Sequence, residues 1–165
     1  MYQITFPTTK DLEKMNVVAK ELFHTEDDNT QASPTMYNSL QIIGKEKHNF
    51  ISINDNTGQP IAWSVVVPTS FEVMDKFLNK KITEKELLEI SSIDNKFEAL
   101  YLMAVVVQPD YRKKGIAKFL FGTQIKYFKN KYDINHFYSW YLSEEGKKLG
   151  LSIEKDMNIK ISTVK

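Results

Sequence analysis

The residues best suited by type and spacing to chemistry lie in a short basic turn, Arg112-Lys113-Lys114-Gly115-Ile116-Ala117. A helix opening near Gly115 leaves its first backbone N–H groups without partners inside the helix, and they point back into the turn. The macrodipole adds positive potential at the same place, so an anion can take up both. Gly115 has no side chain to obstruct an approach, and Ala117 is nearly as small. Arg112, Lys113 and Lys114 bring further positive charge. Together these features describe a cradle for a diphosphate. A solvated basic turn between a strand and a helix is the alternative, and these residues alone leave the two open.

The elements that must position the turn are legible on both sides of it. Ala99-Leu-Tyr-Leu-Met-Ala-Val-Val-Val107 is too rich in β-branched and aromatic residues to prefer a helix, and the run stops at Pro109. After Gly115, the residues Ile116, Phe119, Leu120, Ile125, Tyr127 and Phe128 fall at roughly helical spacing. Ile134-Asn-His-Phe-Tyr-Ser-Trp-Tyr-Leu142 again has strand composition. Strand, helix and strand form a βαβ unit, so the two strands are expected to be parallel with a right-handed crossover. In open α/β sheets ligands lie beyond the carboxyl ends of parallel strands, here near Val107 and Ser143.

The full pattern, Val-Val-Val-x-Pro-x-Tyr-Arg-x-x-Gly-Ile-Ala before an apolar helix, resembles the acetyl-CoA signature of the GNAT N-acetyltransferase superfamily. That signature reads Arg/Gln-x-x-Gly-x-Gly/Ala after a strand. The resemblance implies an α/β fold: a mixed, mostly antiparallel twisted sheet flanked by helices, with a splayed parallel strand pair around a cofactor cleft. It implies acetyl-CoA as co-substrate. By position, the pantetheine contacts fall on Val105, Val106 and Val107. The diphosphate site falls on Arg112, Lys113, Lys114, Gly115, Ile116, Ala117 and Lys118, and Ser143 lies at the facing strand end. Without the loop behind them, the valines read as plain core.

Acetyl transfer from a thioester needs a neutral amine placed against the carbonyl, polarisation of its oxygen, and a proton for the departing thiolate. A strand N–H near Val105 polarises the oxygen, as the resemblance implies. A lysine-like ammonium has a pKa near ~10.4 and must first lose its proton. Relatives often keep a glutamate on one of the splayed strands for this, but the two corresponding positions here are Tyr101 and Tyr138. Glu98 is the nearest carboxylate, and alternation along a strand sets it on the opposite side from Tyr101, Met103 and Val105. Many relatives also carry a tyrosine in the last helix, where this chain reads Lys147-Lys-Leu-Gly-Leu151. The catalytic expectation therefore rests on Tyr138 or Tyr101 as the acid, with deprotonation through ordered water. His136 shares the strand face of Tyr138, although a lone histidine there is more often structural.

The remaining chain supplies the frame. Tyr2–Phe6 alternates and stops at Pro7, as a short first strand does. Thr8 or Thr9 caps a helix whose apolar face is Leu12, Met15, Val18, Ala19 and Leu22. An acidic loop with Glu26-Asp27-Asp28 follows, either a site for a cationic acceptor or simply solvated. A second helix is expected from Ser33-Pro34 to about Ile43, with Gly44 near its end. Asn49–Asn54 and Pro60–Val67 read as a hairpin around Asn56-Thr-Gly58. A helical insertion at about 70–92 departs from the family plan and shows no recognisable chemistry. Thr83-Glu-Lys-Glu86 is its capping box. The last helix, capped by Ser143, ends near Gly150 or near Asn158, and Ile159–Val164 is a final strand.

Composition bounds the function classes. The 165 residues suit one domain spanning 1–165, with 42% hydrophobic and 26% charged residues. A net charge of +1 gives no general field for nucleic acid or anionic membrane. Zero cysteines exclude disulfides, thiolate ligands and a cysteine nucleophile. The scattered His24, His48 and His136 show no metal-ligand spacing. No long apolar run or leader pattern appears, so a cytoplasmic protein is expected. The leading reading is an N-acetyltransferase acting on a primary amine of a small molecule or protein. A CoA-binding module without catalysis is the alternative, and a structural domain whose turn binds nothing is the third. The acceptor stays open, as does oligomeric state, a homodimer included.

Overall fold

The computed structural model describes residues 2–23 and 45–164. His24, the acidic loop and the helix expected from Ser33 to Ile43 lie outside the described residues. Helix α1 (Thr9–Phe23) opens at Thr8, whose hydroxyl accepts from the Asp11 N–H at 3.3 Å while the Asp11 carboxylate accepts from the Thr8 N–H at 2.9 Å. Strands β1 (Phe50–Asn54) and β2 (Pro60–Thr69) form the expected hairpin. Its turn is closed by the Asp55 carboxylate, which accepts from the N–H groups of Thr57 and Gln59, with Gly58 at φ +79°. The first strand expected at Tyr2–Phe6 shortens to a single antiparallel bridge, Thr5 to Ser52. Pro7 supplies no N–H to continue the ladder.

Helices α2 (Phe71–Leu78) and α3 (Glu84–Ile93) make up the insertion. Ser70 caps the first, and the Thr83–Glu86 capping box starts the second. Strand β3 (Ala99–Val107), helix α4 (Ile116–Tyr132) and strand β4 (His136–Ser139) follow. Helix α5 (Glu144–Met157) runs through Gly150 and ends at Asn158 in a left-handed cap, φ +51°, before strand β5 (Ile161–Thr163). The sheet order is β1-β2-β3-β4-β5. The first three strands are antiparallel, whereas β3, β4 and β5 run parallel.

Helices cover both faces. Met15 and Ala19 of α1 pack on Trp63, Val65 and Val106, and the insertion packs Val73, Phe77, Leu87 and Leu88 on Val67, Tyr101 and Tyr138. On the other face α4 and α5 press Phe121, Ile125, Phe128 and Ile153 against Leu100, Leu102 and Phe137. Each such side chain, fully removed from water, contributes about 1.5–3 kcal/mol before entropic costs. One polar residue locks α4 to the sheet. Gln124 is completely buried; its side-chain oxygen accepts from the Ser64 hydroxyl at 2.7 Å, and its NH2 donates to the His48 carbonyl at 2.9 Å. Among the described residues, no helix is long and apolar enough to cross a membrane.

Candidate active site

Strand β3 is regular for only part of its length. Its ladder with β2 shifts register between Val65 and Val66, which pair with Ala104 and Leu102, so Met103 is the extra residue of a β-bulge. The bulge resets the alternation of side chains. Tyr101 and Met103 face the insertion, Val106 faces α1, but Val105 and Val107 face α4. This corrects the expectation that Val105 shares the face of Tyr101, because strict alternation does not survive an inserted residue.

On its other edge β3 pairs with β4 only over Ala99–Tyr101 against His136–Tyr138. The Ser139 hydroxyl then donates to the Leu102 carbonyl at 2.9 Å, and beyond that bond the parallel strands part. The gap is a cleft of about 120 Å³ lined by Leu102–Val105 from β3 and by Ser139–Ser143. Phe121 closes it from α4, and Gly146, Leu149, Gly150 and Ile153 close it from α5. A strand edge without a partner strand carries backbone donors and acceptors that an extended ligand can pair with.

The basic turn stands at the carboxyl end of β3. A 3-10 turn (Pro109–Tyr111) leads to Lys113 at φ +62° and Gly115 at φ +77°. Alternating left-handed residues build concave clusters of backbone N–H groups. Gly115 is the N-cap of α4 and offers no side chain to the free N–H groups of the first turn, so these remain open to an anion. An added Cβ at Gly115 meets nothing within 4 Å, so the space in front of it is open. The cationic side chains play separate parts. Arg112 Nε donates to the Val107 carbonyl at 3.0 Å, and Lys114 Nζ to the Asp110 carbonyl at 3.0 Å, so both brace the turn. Lys118 turns to α5, where it pairs with Asp156 at 2.5 Å. Lys113 is exposed, Ile116 is core, and Ala117 is half-buried. Ser143 caps α5, accepting from the Gly146 N–H at 3.0 Å, and lines the cleft.

The two tyrosines expected to act as acid lie elsewhere. Tyr101 and Tyr138 are both fully buried and stack at 5.0 Å beneath Phe77 of the insertion. The Tyr101 hydroxyl donates to Glu84 at 2.7 Å, and the Tyr138 hydroxyl shares a 2.9 Å bond with Thr69. Burial pushes the Tyr138 phenol well above its ordinary range, with the Thr69 bond a lesser, opposing influence. Neither hydroxyl lines the cleft, whose nearest members on that face are Met103 and Trp140. Glu98 accepts from the Phe71 N–H at 3.0 Å and so caps α2. His136 is exposed and meets the edge of Phe71 at 4.8 Å. Among the described residues, no three His, Asp or Glu side chains are grouped to hold a metal ion.

Two features escaped sequence reasoning. Glu84, in the first turn of α3, brings a buried carboxylate onto the tyrosine of β3, across an insertion whose length hides the contact. Tyr141, just past β4, is half-buried in the cleft with its ring laid along α5. The only sequence signal for it is the pair Gly146 and Gly150, spaced one helical turn apart.

Known proteins match this arrangement. No curated protein matches the sequence. The solved structures include AAC(6')-Iy in complex with the bisubstrate analogue CoA-S-monomethyl-acetylneamine, at TM-score 0.56 and 13% identity, covering 98% of this chain and 92% of that one. Naa20 of Chaetomium thermophilum, in complex with a bisubstrate analogue, matches at TM-score 0.56 and 16% identity, covering 94% and 69%. The loading GNATL domain of CurA from Lyngbya majuscula matches at TM-score 0.56 and 16% identity, covering 77% of this chain and only 58% of its own. These likenesses establish the fold. The model of the acetyltransferase (GNAT) family matches residues 18–144, most of the chain, including the basic turn and both cleft strands. The chain belongs to the GNAT acetyltransferase family.

Proposed function

We propose that the protein is an N-acetyltransferase that moves the acetyl group of acetyl-CoA directly to a primary amine within a ternary complex. The single observation that carries this reading is an open strand edge followed closely in the chain by an uncapped helix N-terminus. The unpaired edge of β3 from Leu102 to Val105 runs into the uncapped helix N-terminus at Gly115. An extended pantetheine arm pairs with the first while the diphosphate takes up the second.

The chemistry asked of the protein is modest. Thioester carbonyls are already electrophilic, so placement and polarisation supply most of the acceleration. A backbone N–H on β3 at or beyond the bulge donates to the carbonyl oxygen, which gains negative charge as the amine adds. The bulge at Met103 turns that stretch of backbone away from the regular ladder. Val105 and Val107 wall the α4 side of the arm, and Val106 anchors the strand under α1. Arg112 holds the turn to the strand end, fixing the distance between the thioester and diphosphate subsites. The amine enters opposite the pantetheine arm and must arrive neutral.

Titration calorimetry with acetyl-CoA, followed by thiol release against a panel of small amines and peptide N-termini, tests the reading. Binding together with amine-dependent thiol release supports it. A CoA-binding module without turnover is the second reading, favoured by the withdrawal of Tyr101, Tyr138 and Glu98 from the cleft. Tight binding with no thiol release on any amine selects that module, and no binding at all rejects both.

A further inference from the structure

We propose that Tyr141 is the catalytic residue that gives its proton to the departing thiolate, an inference that rests on the acetyltransferase reading. Its placement carries the argument. Tyr141 lines the same cleft as Leu102–Val105, the stretch of β3 whose backbone is open to the thioester. It follows Ser139, the last residue tied to β3, so the ring enters the cleft where the strands have parted.

Helix α5 is shaped to receive this ring. A Cβ on Gly150 would fall 1.9 Å from Tyr141 Oη and 2.4 Å from Cζ, and one on Gly146 would fall 3.8 Å from Cδ1. Gly150 thus makes the slot in which the phenol lies, and Gly146 borders the ring at ordinary contact distance. Any larger residue at Gly150 expels it. A slot cut to this depth holds the ring and its hydroxyl against α5, in a residue that lines the cleft. Burial and the nearby Glu154 carboxylate both raise the phenol's pKa, so it is protonated across the working range, as a donor must be. The hydroxyls of Tyr101 and Tyr138 are instead engaged by Glu84 and Thr69, and neither residue lines the cleft.

In the step proposed, the amine nitrogen forms a bond to the thioester carbonyl carbon and the C–S bond breaks. Sulfur keeps the electron pair of that bond and takes the proton of Tyr141 Oη. The phenolate recovers a proton from the nitrogen, which must shed one to become an amide. Amine and thioester become amide and thiol, and Tyr141 ends as it began.

Tyr141→Phe tests this in the full chain, since the ring and its fit in the slot are kept. The variant is expected to bind acetyl-CoA within about 3-fold of wild type by calorimetry. Its kcat is expected to fall about 100-fold, the low end for general acid catalysis because a thiolate already leaves readily. The solvent deuterium effect on kcat should fall toward unity in the variant, which a packing defect would not produce. Equal kcat in the two proteins overturns the proposal and leaves the transfer reading intact. Tighter acetyl-CoA binding by Tyr141→Phe or Tyr141→Ala also overturns it, making the ring a plug in the pantetheine path. Wild type that binds acetyl-CoA and turns over no amine removes the transfer reading, and the donor role falls with it.

Discussion

Replacing Gly115 separates the backbone's part in binding from its part in folding. Gly115 sits at φ +77°, where an L-residue is strained, yet an added Cβ meets nothing within 4 Å. Gly115→Ala therefore costs about 1–2 kcal/mol of stability through the backbone alone. The strain is present with and without ligand, so it cancels from the affinity. Gly58, at φ +79° with an equally empty surround, is a matched control in the β1–β2 turn. Gly58→Ala should lose a similar amount of stability in urea melts. Gly115→Glu adds a carboxylate where the diphosphate is expected to lie. One pair of unit charges ~4 Å apart repels by about 1 kcal/mol in water and about 4 kcal/mol at the edge of a protein. Acetyl-CoA affinity should therefore fall roughly 10- to 1000-fold relative to wild type. Gly115→Gln, of the same size and uncharged, should lose far less. The gap between Glu and Gln should narrow as salt is raised from about 0.05 to 0.5 M, because the Debye length shrinks from about 14 Å to about 4 Å, close to the contact distance itself. The assay is calorimetric titration of wild type and the three Gly115 variants with acetyl-CoA. Equal affinities for the Glu and Gln variants would refute the diphosphate cradle.

Three further outcomes follow from particular contacts. Gly150→Ala should cost about 1–3 kcal/mol, because Tyr141 must leave its slot, but should be neutral or stabilising in a Tyr141→Ala background, where only alanine's better helix propensity remains; additive effects in a urea double-mutant cycle would contradict the slot. Tyr138→Phe should lose about 1–2 kcal/mol by leaving the buried Thr69 hydroxyl without its partner, with kcat on the best amine unchanged within about 2-fold; a large kcat loss at constant acetyl-CoA affinity would return the acid role to Tyr138. Glu46 is held down at about 2: burial pushes its carboxyl up, but hydrogen bonds from Lys131 and Tyr132 and the His48 N–H outweigh it. Its folded value lies below the ordinary 4.5, so its stabilisation is complete above about pH 4.5 and is lost as pH falls through about 2. Lys131 is half exposed, so solvent screening holds the contribution to about 1–3 kcal/mol, and Glu46→Gln should lose that amount at neutral pH. The deficit measured in urea melts should shrink as pH drops from 4.5 toward 2, and a pH-independent deficit would contradict the assignment.

The parts of this molecule that could be read from its residues are those fixed by local chemistry. The turn at Gly115 needs a left-handed residue before a helix, and glycine announces it. The capping box at Thr83 and Glu86 places α3, and the left-handed Asn158 rather than Gly150 ends α5. Gly150 looked like a terminator because a glycine within a helix is costly, and its actual reason is a ring from outside the helix. The basic turn was legible for the same reason the caps were: it is built from backbone geometry over a few consecutive residues.

Which side chains line the cleft was not legible, and one residue explains much of that. Assigning Tyr101, Met103 and Val105 to one face assumes a pleat of period two, and the bulge at Met103 breaks that period within the strand that matters most. No composition rule distinguishes a bulged Val-rich strand from a regular one, since the shift is set by its pairing with Val65 and Val66 of another strand. The insertion adds a second non-local effect. By laying Phe77 and Glu84 over Tyr101, it converts a position that faces solvent or substrate in an open sheet into core. On the acetyltransferase reading proposed above, a proton donor would come from beyond the paired part of β4, where Tyr141 lines the cleft. The bulge, the insertion and the glycine slot are consequently one problem: with Tyr101 and Tyr138 sealed under α2 and α3, the phenol lining the cleft beside the open edge of β3 is Tyr141, just past β4 and laid along α5.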